Sequence, residues 1–368
     1  MEEIVIIGGG LAGSAAAITL ARAGRQVTLL ERETQPHHKV CGEFLSQEAL
    51  HSLQALGIDA AGLGARNITG VRLADARRVK TSHLPFQAMS LTRKLLDEAL
   101  LQEVVRCGVH VSRGTRALQL KRHGDGWRIQ LDSQPSLDAE TVFAASGKHD
   151  LTGRSRPKGV QRDMVGFKMY FDLDQRQAAE LGGYIELLLF RGGYAGLQLV
   201  EDGSANLGWL MRKSQLQSLG GYWQNMLAVM KLDCPHLATR LFSATPLLQR
   251  PLAVSSIPYG YVRRDAEDGL WSLGDQAAVI PSFTGDGMAI ALHSGRLAAS
   301  MYLAGETAQA YQRRLHAQLS RQVALATLVS RGMVSPAVRG TMAATVRLLP
   351  KAMGMIARWT RIPADALL

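Results

Sequence analysis

Gly8, Gly10 and Gly13 stand in a G-x-G-x-x-G spacing, and Glu31 follows eighteen residues after the last of them. Residues of these types at this spacing suit the grip of a dinucleotide. A tight glycine turn lets the backbone approach a pyrophosphate where Cβ atoms would collide. A helix opening at Leu11 and Ala12 offers free N–H groups and the positive end of its dipole to that charge. Glu31 is placed to accept both hydroxyls of an adenosine ribose, with Arg32 beside it at the strand end.

Such a grip needs a strand before the turn and a helix after it, and both are legible. Ile4-Val5-Ile6-Ile7 is a buried strand, Ser14 to Ala23 is an Ala-rich helix, and Val27 to Leu30 is a second strand ending at Glu31. Leu91 to Cys107 carries apolar residues at helical spacing, with Thr92 as its cap. Val109-His-Val is a short strand, and Gly124-Asp-Gly turns a hairpin between Leu118–Arg122 and Trp127–Leu131. Glu140 to Gly147 is an apolar strand that returns to the first sheet. Between Val165 and Met211 the pattern changes to strand-like runs with Gly or Asp turns: Phe167–Leu173, Tyr184–Phe190, Tyr194–Val200 and Ala205–Leu210. That is an antiparallel sheet without intervening helices. A helical stretch follows over about Ser214–Met230, then a strand ending at Gly274-Asp275 and an apolar helix over Met288–Ala304.

The expected fold is therefore α/β, with a Rossmann-like dinucleotide-binding domain that is discontinuous over residues 1–160 and 255–305. An antiparallel-sheet substrate domain is inserted at 161–254, and a helical segment occupies 306–368.

Composition narrows the class. The 368 residues are 46% hydrophobic and 20% charged, which fits a globular protein with a large core. Cys41, Cys107 and Cys234 share no C-x-x-C spacing and no neighbouring His cluster, so no metal site is expected and a reducing compartment is. Met1-Glu2-Glu3 leads straight into the first strand, so no signal or transit peptide is expected, and no apolar run is long enough to span a bilayer. The expected location is cytoplasmic, with possible attachment to a membrane face. Net charge is +11 and is concentrated at the end. From Gln312 onward nine Arg or Lys, Arg361 the last, stand against one acid, Asp365. Large apolar residues such as Met333, Leu348 and Trp359 are interleaved with them. Two readings fit: an amphipathic segment on an anionic membrane surface, or helices that cap the core and show their arginines to water. No nucleic-acid-binding motif is present.

Several further segments carry a resemblance. Leu91-Thr-Arg93-Lys-Leu-Leu-Asp97, Ala145-Ser146-Gly147, Gly274-Asp275 and Thr284-Gly285-Asp286-Gly287-Met288, with the N-terminal turn, resemble the FAD-binding oxidoreductases of the aromatic-hydroxylase fold. Within these they are most similar to the geranylgeranyl reductase family, whose Lys-x-Cys-Gly-Gly stretch is matched by Lys39-Val-Cys41-Gly42-Glu43. The resemblance spans roughly residues 1 to 300. It implies FAD as cofactor, with Arg93 near the pyrophosphate or ribityl. Gly147 closes a strand against the cofactor, and Asp275 accepts a ribityl hydroxyl beside Gly274. Gly285, Asp286, Gly287 and Met288 form a helix N-terminus facing the pyrimidine edge of the isoalloxazine. Cys41 and Gly42 lie beside the flavin, and Cys41 and Glu43 are the catalytic candidates, the thiol as a proton donor or a gate.

The chain also departs from the family. No second G-x-G-x-x-G is present, so NADPH or NADH would visit transiently as reductant, or a partner reductase would deliver electrons. Hydroxylases of the fold carry Asp-Gly where this chain has Ser146-Gly147. The prenyl reductases' Tyr-x-Trp-x-Phe-Pro motif reads here Tyr194-Ala-Gly196-Leu-Gln198-Leu199, although the following Asn206-Leu-Gly208 keeps their Asn-x-Gly. Phe167, Met169, Tyr194, Leu197 and Trp209 are the expected wall of an apolar substrate pocket. The expected function is FAD-dependent oxidoreduction of a hydrophobic small molecule by oxygenation. The alternatives are reduction of a lipid or isoprenoid-like double bond, and a flavoprotein subunit without turnover.

Overall fold

The structure, a computed structural model, describes residues 1–132, 134–161, 163–335, 360–363 and 366. The run Ile4–Ile7 is buried on both faces, as a central parallel strand requires. The strand Glu2–Ile7 lies between Val27–Glu31 and Leu137–Ala144, parallel to both, in the registers Ile4↔Val27 and Ile4↔Thr141. His110–Arg113 extends this sheet on one side, and Leu270–Ser272 pairs in parallel with Leu137–Ala144. The predicted hairpin, Ala117–His123 with Gly126–Leu131, adds antiparallel strands.

Two helices cover one face of this sheet. Leu11–Arg22 packs on Gly287–Leu303 so closely that a Cβ on Gly295 would stand 2.2 Å from the Ala12 carbonyl oxygen. Arg93–Arg106 follows, capped as expected by Thr92, whose hydroxyl accepts from the Leu95 amide. The long helix Ala308–Val334 buries Tyr311, Leu315, Leu319, Val323 and Ala326 at helical spacing, and Tyr311 donates to the Ser272 carbonyl at 3.0 Å. Ile362 and Ala366 return to the same core. Of the basic C-terminal stretch read from the sequence, residues 336–359 lie outside the described residues. Among the described residues no helix is long and apolar enough to cross a membrane.

The second sheet is larger than the sequence suggested. Its strands run in the order Thr245–Pro246, Met164–Asp172, Ala205–Arg212, Gly193–Leu199, Tyr184–Phe190, Arg66–Ala74, Val79–Ser90 and Phe44–Leu45. Residues 66–90, expected in the nucleotide-binding domain, therefore belong to it, and the 1–160 boundary needs correction. The sheet is also mixed, because Tyr184–Phe190 pairs in parallel with Arg66–Ala74. Such a pairing joins strands more than a hundred residues apart and leaves no local sequence signal. The single helix expected over 214–230 is two, Lys213–Ser218 and Trp223–Asp233, and a third short helix, Pro235–Arg240, follows them. Gly220 and Gly221, both at positive φ, and Pro235 divide them.

Alternation sets the two faces of this sheet. Val165, Phe167, Met169, Leu197, Leu207, Trp209 and Met211 join Met226, Met230 and Leu237 beneath the short helices. Gly166, Tyr194, Gly196, Gln198, Gly208 and Leu210 face the cavity beside the first domain, and Lys168 reaches Glu43 and the Lys39 carbonyl on the same side.

Candidate functional site

A cavity of about 770 Å³ runs between the two sheets. The glycine turn forms one end of it. Gly8, at φ +108, leaves no room for a side chain, since a Cβ there would lie 2.5 Å from the Ala145 carbonyl oxygen. Gly13 sits behind the cavity wall, where a Cβ would come within 1.9 Å of the Gly8 carbonyl oxygen. Gly8, Gly10, Leu11 and Ala12 line the cavity. Glu31 is buried at this same end, and its carboxylate accepts from the Gly9 amide at 2.8 Å and the Glu33 amide at 3.0 Å. Arg32 lines the rim and pairs with Glu33.

The other predicted cofactor residues converge on the same space. Arg93 lines the cavity beside Gly10, with its guanidinium held by Asp97 through bonds of 2.7 and 2.9 Å. Lys39 braces Asp97 from the other side at 2.7 Å. These two cations hold the Asp97 carboxyl below its usual range, and Asp97 in turn raises Arg93, so both stay ionised. Gly147, Gly274, Asp275, Gly285, Gly287 and Met288 line the cavity as well. Asp286 lies just behind it, fully buried at the start of the helix Gly287–Leu303. Two residues that no motif announced tie these segments together. Arg156 donates to the Asp275 carbonyl at 2.6 Å and pairs with Asp150, and the Gln276 amide donates to the Gly147 carbonyl at 2.8 Å.

The loop carrying Cys41 is bolted to the second sheet. Glu43 adopts φ +59, a left-handed backbone uncommon for a residue with a side chain, and is wholly buried. Its carboxylate accepts from Lys168 at 2.5 Å, from the Tyr170 hydroxyl at 2.8 Å, from the Asn206 amide at 3.0 Å and from the Arg93 backbone N–H at 2.7 Å. Gln198 donates to the Glu43 carbonyl at 2.9 Å. Burial pushes the Glu43 carboxyl up while the Lys168 ammonium beside it pulls it down. His38 closes the network against the Tyr170 oxygen at 3.0 Å, and burial with Lys168 nearby lowers it to about 4. With its lone pairs engaged by four donors, Glu43 is an anchor of the loop. Cys41 and Gly42 project from it into the cavity, with the Arg93 guanidinium neighbouring the thiol.

The predicted substrate wall needs correction. Tyr194 faces the cavity, its hydroxyl 3.2 Å from Ser282. Met169 and Leu197 do not, because strand alternation turns them into the core under the short helices. Phe167 and Trp209 belong to that core too, stacked at 5.2 Å, and only border the cavity. The missed residues are those one position away: Gly196, Gln198, Gly208 and Leu210. The sequence signal that could have found them is the pair of polar residues, Lys168 and Gln198, within otherwise apolar strands. Leu73, Leu187, Leu189, Val329 and Met333 complete an apolar end of the cavity.

The residues fit FAD. A Cβ on Gly42, Gly147 or Gly287 would meet no atom within 4 Å, so three bare backbone walls face open space at positions far apart in the chain. Between them stand a ribose-type carboxylate at one end, a buried guanidinium midway and a helix N-terminus at the other end. Among the described residues no group of His, Cys, Asp or Glu is placed to hold a metal ion.

Known proteins agree with this geometry. Residues 1–170 match the FAD binding domain family. The chain is 26% identical to digeranylgeranylglycerophospholipid reductase 2 of Methanosphaera stadtmanae over 80% of its own length and 75% of that protein's. It is 25% identical to menaquinone reductase of Mycolicibacterium smegmatis over 82% and 76%. In fold it is similar to a flavin-dependent brominase, with a TM-score of 0.77 and 16% identity over 100% of this chain and 96% of that one. It is similar also to a probable FAD-dependent monooxygenase from Pseudomonas aeruginosa, with a TM-score of 0.75 and 16% identity over 93% and 99%.

Proposed function

We propose that the chain, an FAD-dependent oxidoreductase, oxygenates a hydrophobic small molecule seated on the glycine-floored face of the second sheet. Bound FAD would supply the redox chemistry, taking electrons from NADPH, NADH or a partner reductase and passing them on. The protein's own residues do the rest. Gly8 to Ala12, Arg93 and the Gly285–Met288 turn bind and orient the cofactor. Gly196 and Gly208 leave room for a flat ligand over the sheet, and a Cβ on Gly196 would meet nothing within 4 Å. Leu187, Leu189, Leu210, Val329 and Met333 keep water from that end, which protects reactive species from hydrolysis.

The observation that carries the reading is the open floor at Gly196. The prenyl-reductase motif carries Trp at this place, whereas here a Cβ would meet nothing within 4 Å, so the space over the sheet departs from the prenyl pocket. The second reading, reduction of an isoprenoid-like double bond, is favoured by the reductases among the relatives and would use the Cys41 thiol as proton source. Oxygen dependence separates the two. Turnover of a hydrophobic substrate that stops without O₂ supports oxygenation, and turnover that continues anaerobically with NADPH supports reduction instead.

A further inference from the structure

We propose that Arg361, near the C-terminus, is a positioning residue for the cofactor-facing turn, and that its pairing with Asp286 couples the docking of the C-terminal residues to the binding of FAD.

Asp286 is fully buried at the N-terminal end of a 17-residue helix, between Gly285 and Gly287, which line the cavity. A carboxylate at that position is favoured by the helix dipole but disfavoured by burial. Arg361 supplies the counter-charge. Its guanidinium lies 2.6 Å from Asp286 Oδ1 and 3.6 Å from Glu48. It also sits 4.0 Å over the ring of Phe86, the geometry of a cation–π contact. The other Asp286 oxygen, Oδ2, has no hydrogen-bond partner and is buried. Arg361 is thus the main device holding a charge in this dry place. Burial and Glu48 push the Asp286 carboxyl up to about 7, and Arg361 restrains that rise.

Consider the turn without Arg361. The carboxylate would have to protonate or swing toward water, and Gly285 and Gly287 on either side give the backbone little resistance. The amides that face the cavity would move with it. FAD needs those amides in place, so it binds more tightly to the form in which Arg361 is docked. Thermodynamic linkage makes the effect mutual: bound FAD must favour the docked C-terminal residues by the same factor. Ile362 and Ala366, buried in the main core, and Thr360 and Arg361, which line the cavity, are the residues that such docking holds.

Two measurements test this. FAD dissociation constants are determined for the wild type, Arg361→Gln and Arg361→Lys, with the fold of each apoprotein checked by circular dichroism. Arg361→Gln should weaken binding roughly tenfold, within the usual span of coupling between sites. Arg361→Lys should recover part of the loss, because it keeps the charge and gives up the planar stack on Phe86. Affinities equal to within about twofold overturn the proposal. The second measurement needs no variant. Amide hydrogen exchange over residues 360–363 of the full chain should slow when FAD is added. If Arg361→Gln fails to fold, this result decides, and unchanged exchange at saturating FAD overturns the coupling. Wild-type protein that takes up no FAD overturns it together with the cofactor assignment.

Discussion

Glycine does opposite work at two places in the molecule. In the nucleotide-binding half, Gly8 and Gly13 are bare because protein atoms crowd them, with backbone oxygens 2.5 and 1.9 Å from where a Cβ would stand. In the mixed sheet, Gly196 is bare and nothing lies within 4 Å. The first pair is demanded by packing, and its job is to let helix, turn and cofactor close on one another. Gly196 is demanded by nothing inside the protein, and in the function proposed above its open space serves the substrate. The same substitution should therefore destroy one region's function and merely reshape the other's.

Gly13→Val is the most disruptive test for cofactor binding. Overpacking of this kind costs about 1–3 kcal/mol or more, and here the strain falls on the turn itself. The variant should lose FAD retention on gel filtration, while Gly196→Val keeps it. Retention by both would erase the contrast. Lys168→Met comes next. It strands the Glu43 carboxylate in a dry site, and breaking a buried pair from one side costs about 3–5 kcal/mol, read as a fall in the denaturant midpoint. Lys168→Met with Glu43→Gln should recover much of that loss. Failure to recover would mean that the network does not act through its charge.

Gly196→Trp puts back the bulk that the prenyl-reductase motif carries there. Stability should change by less than about 1 kcal/mol, since the space is open, and a hydrophobic aromatic probe should no longer perturb the flavin spectrum. Unchanged probe binding would move the substrate elsewhere. The smallest effect concerns His38, lowered to about 4 by burial and by Lys168. Its unfolded form binds a proton below about pH 6.5 that the folded form resists. Its contribution is thus present above that pH and is lost as pH falls toward 4. Solvent screening at this half-buried site keeps it below about 2 kcal/mol. His38→Asn should flatten the stability profile between pH 6.5 and 4 relative to wild type, as measured by urea unfolding. Parallel profiles would contradict this assignment.

These contrasts also explain what could be read from sequence. The first strand, the glycine turn and Glu31 are contiguous or nearly so, and the physics that links them acts over a few residues. Thr92 could likewise be recognised as a cap from its place before an apolar helical run. The second sheet escaped in two ways. Its strands 66–74 and 79–90 enter from another part of the chain, and side-chain polarity alone cannot report a partner strand so far away. Its buried face was chosen wrongly, because Phe167, Met169, Leu197 and Trp209 are the more apolar set, yet strand alternation hides Met169 and Leu197 from the cavity and leaves Phe167 and Trp209 only at its border. The residues that do face it are glycines and buried polar groups, which reveal their role only once Glu43 is seen between Lys168, Tyr170 and Asn206. Arg361 stood in the sequence as one basic residue among nine near the C-terminus, and only its ion pair with Asp286 marks it out.

Equilibrium dialysis of the apoprotein against FAD examines the central claim with the fewest assumptions. One FAD should be taken up per chain by the wild type, and none by Gly13→Val under the same conditions. A folded wild-type chain that takes up none would contradict the account.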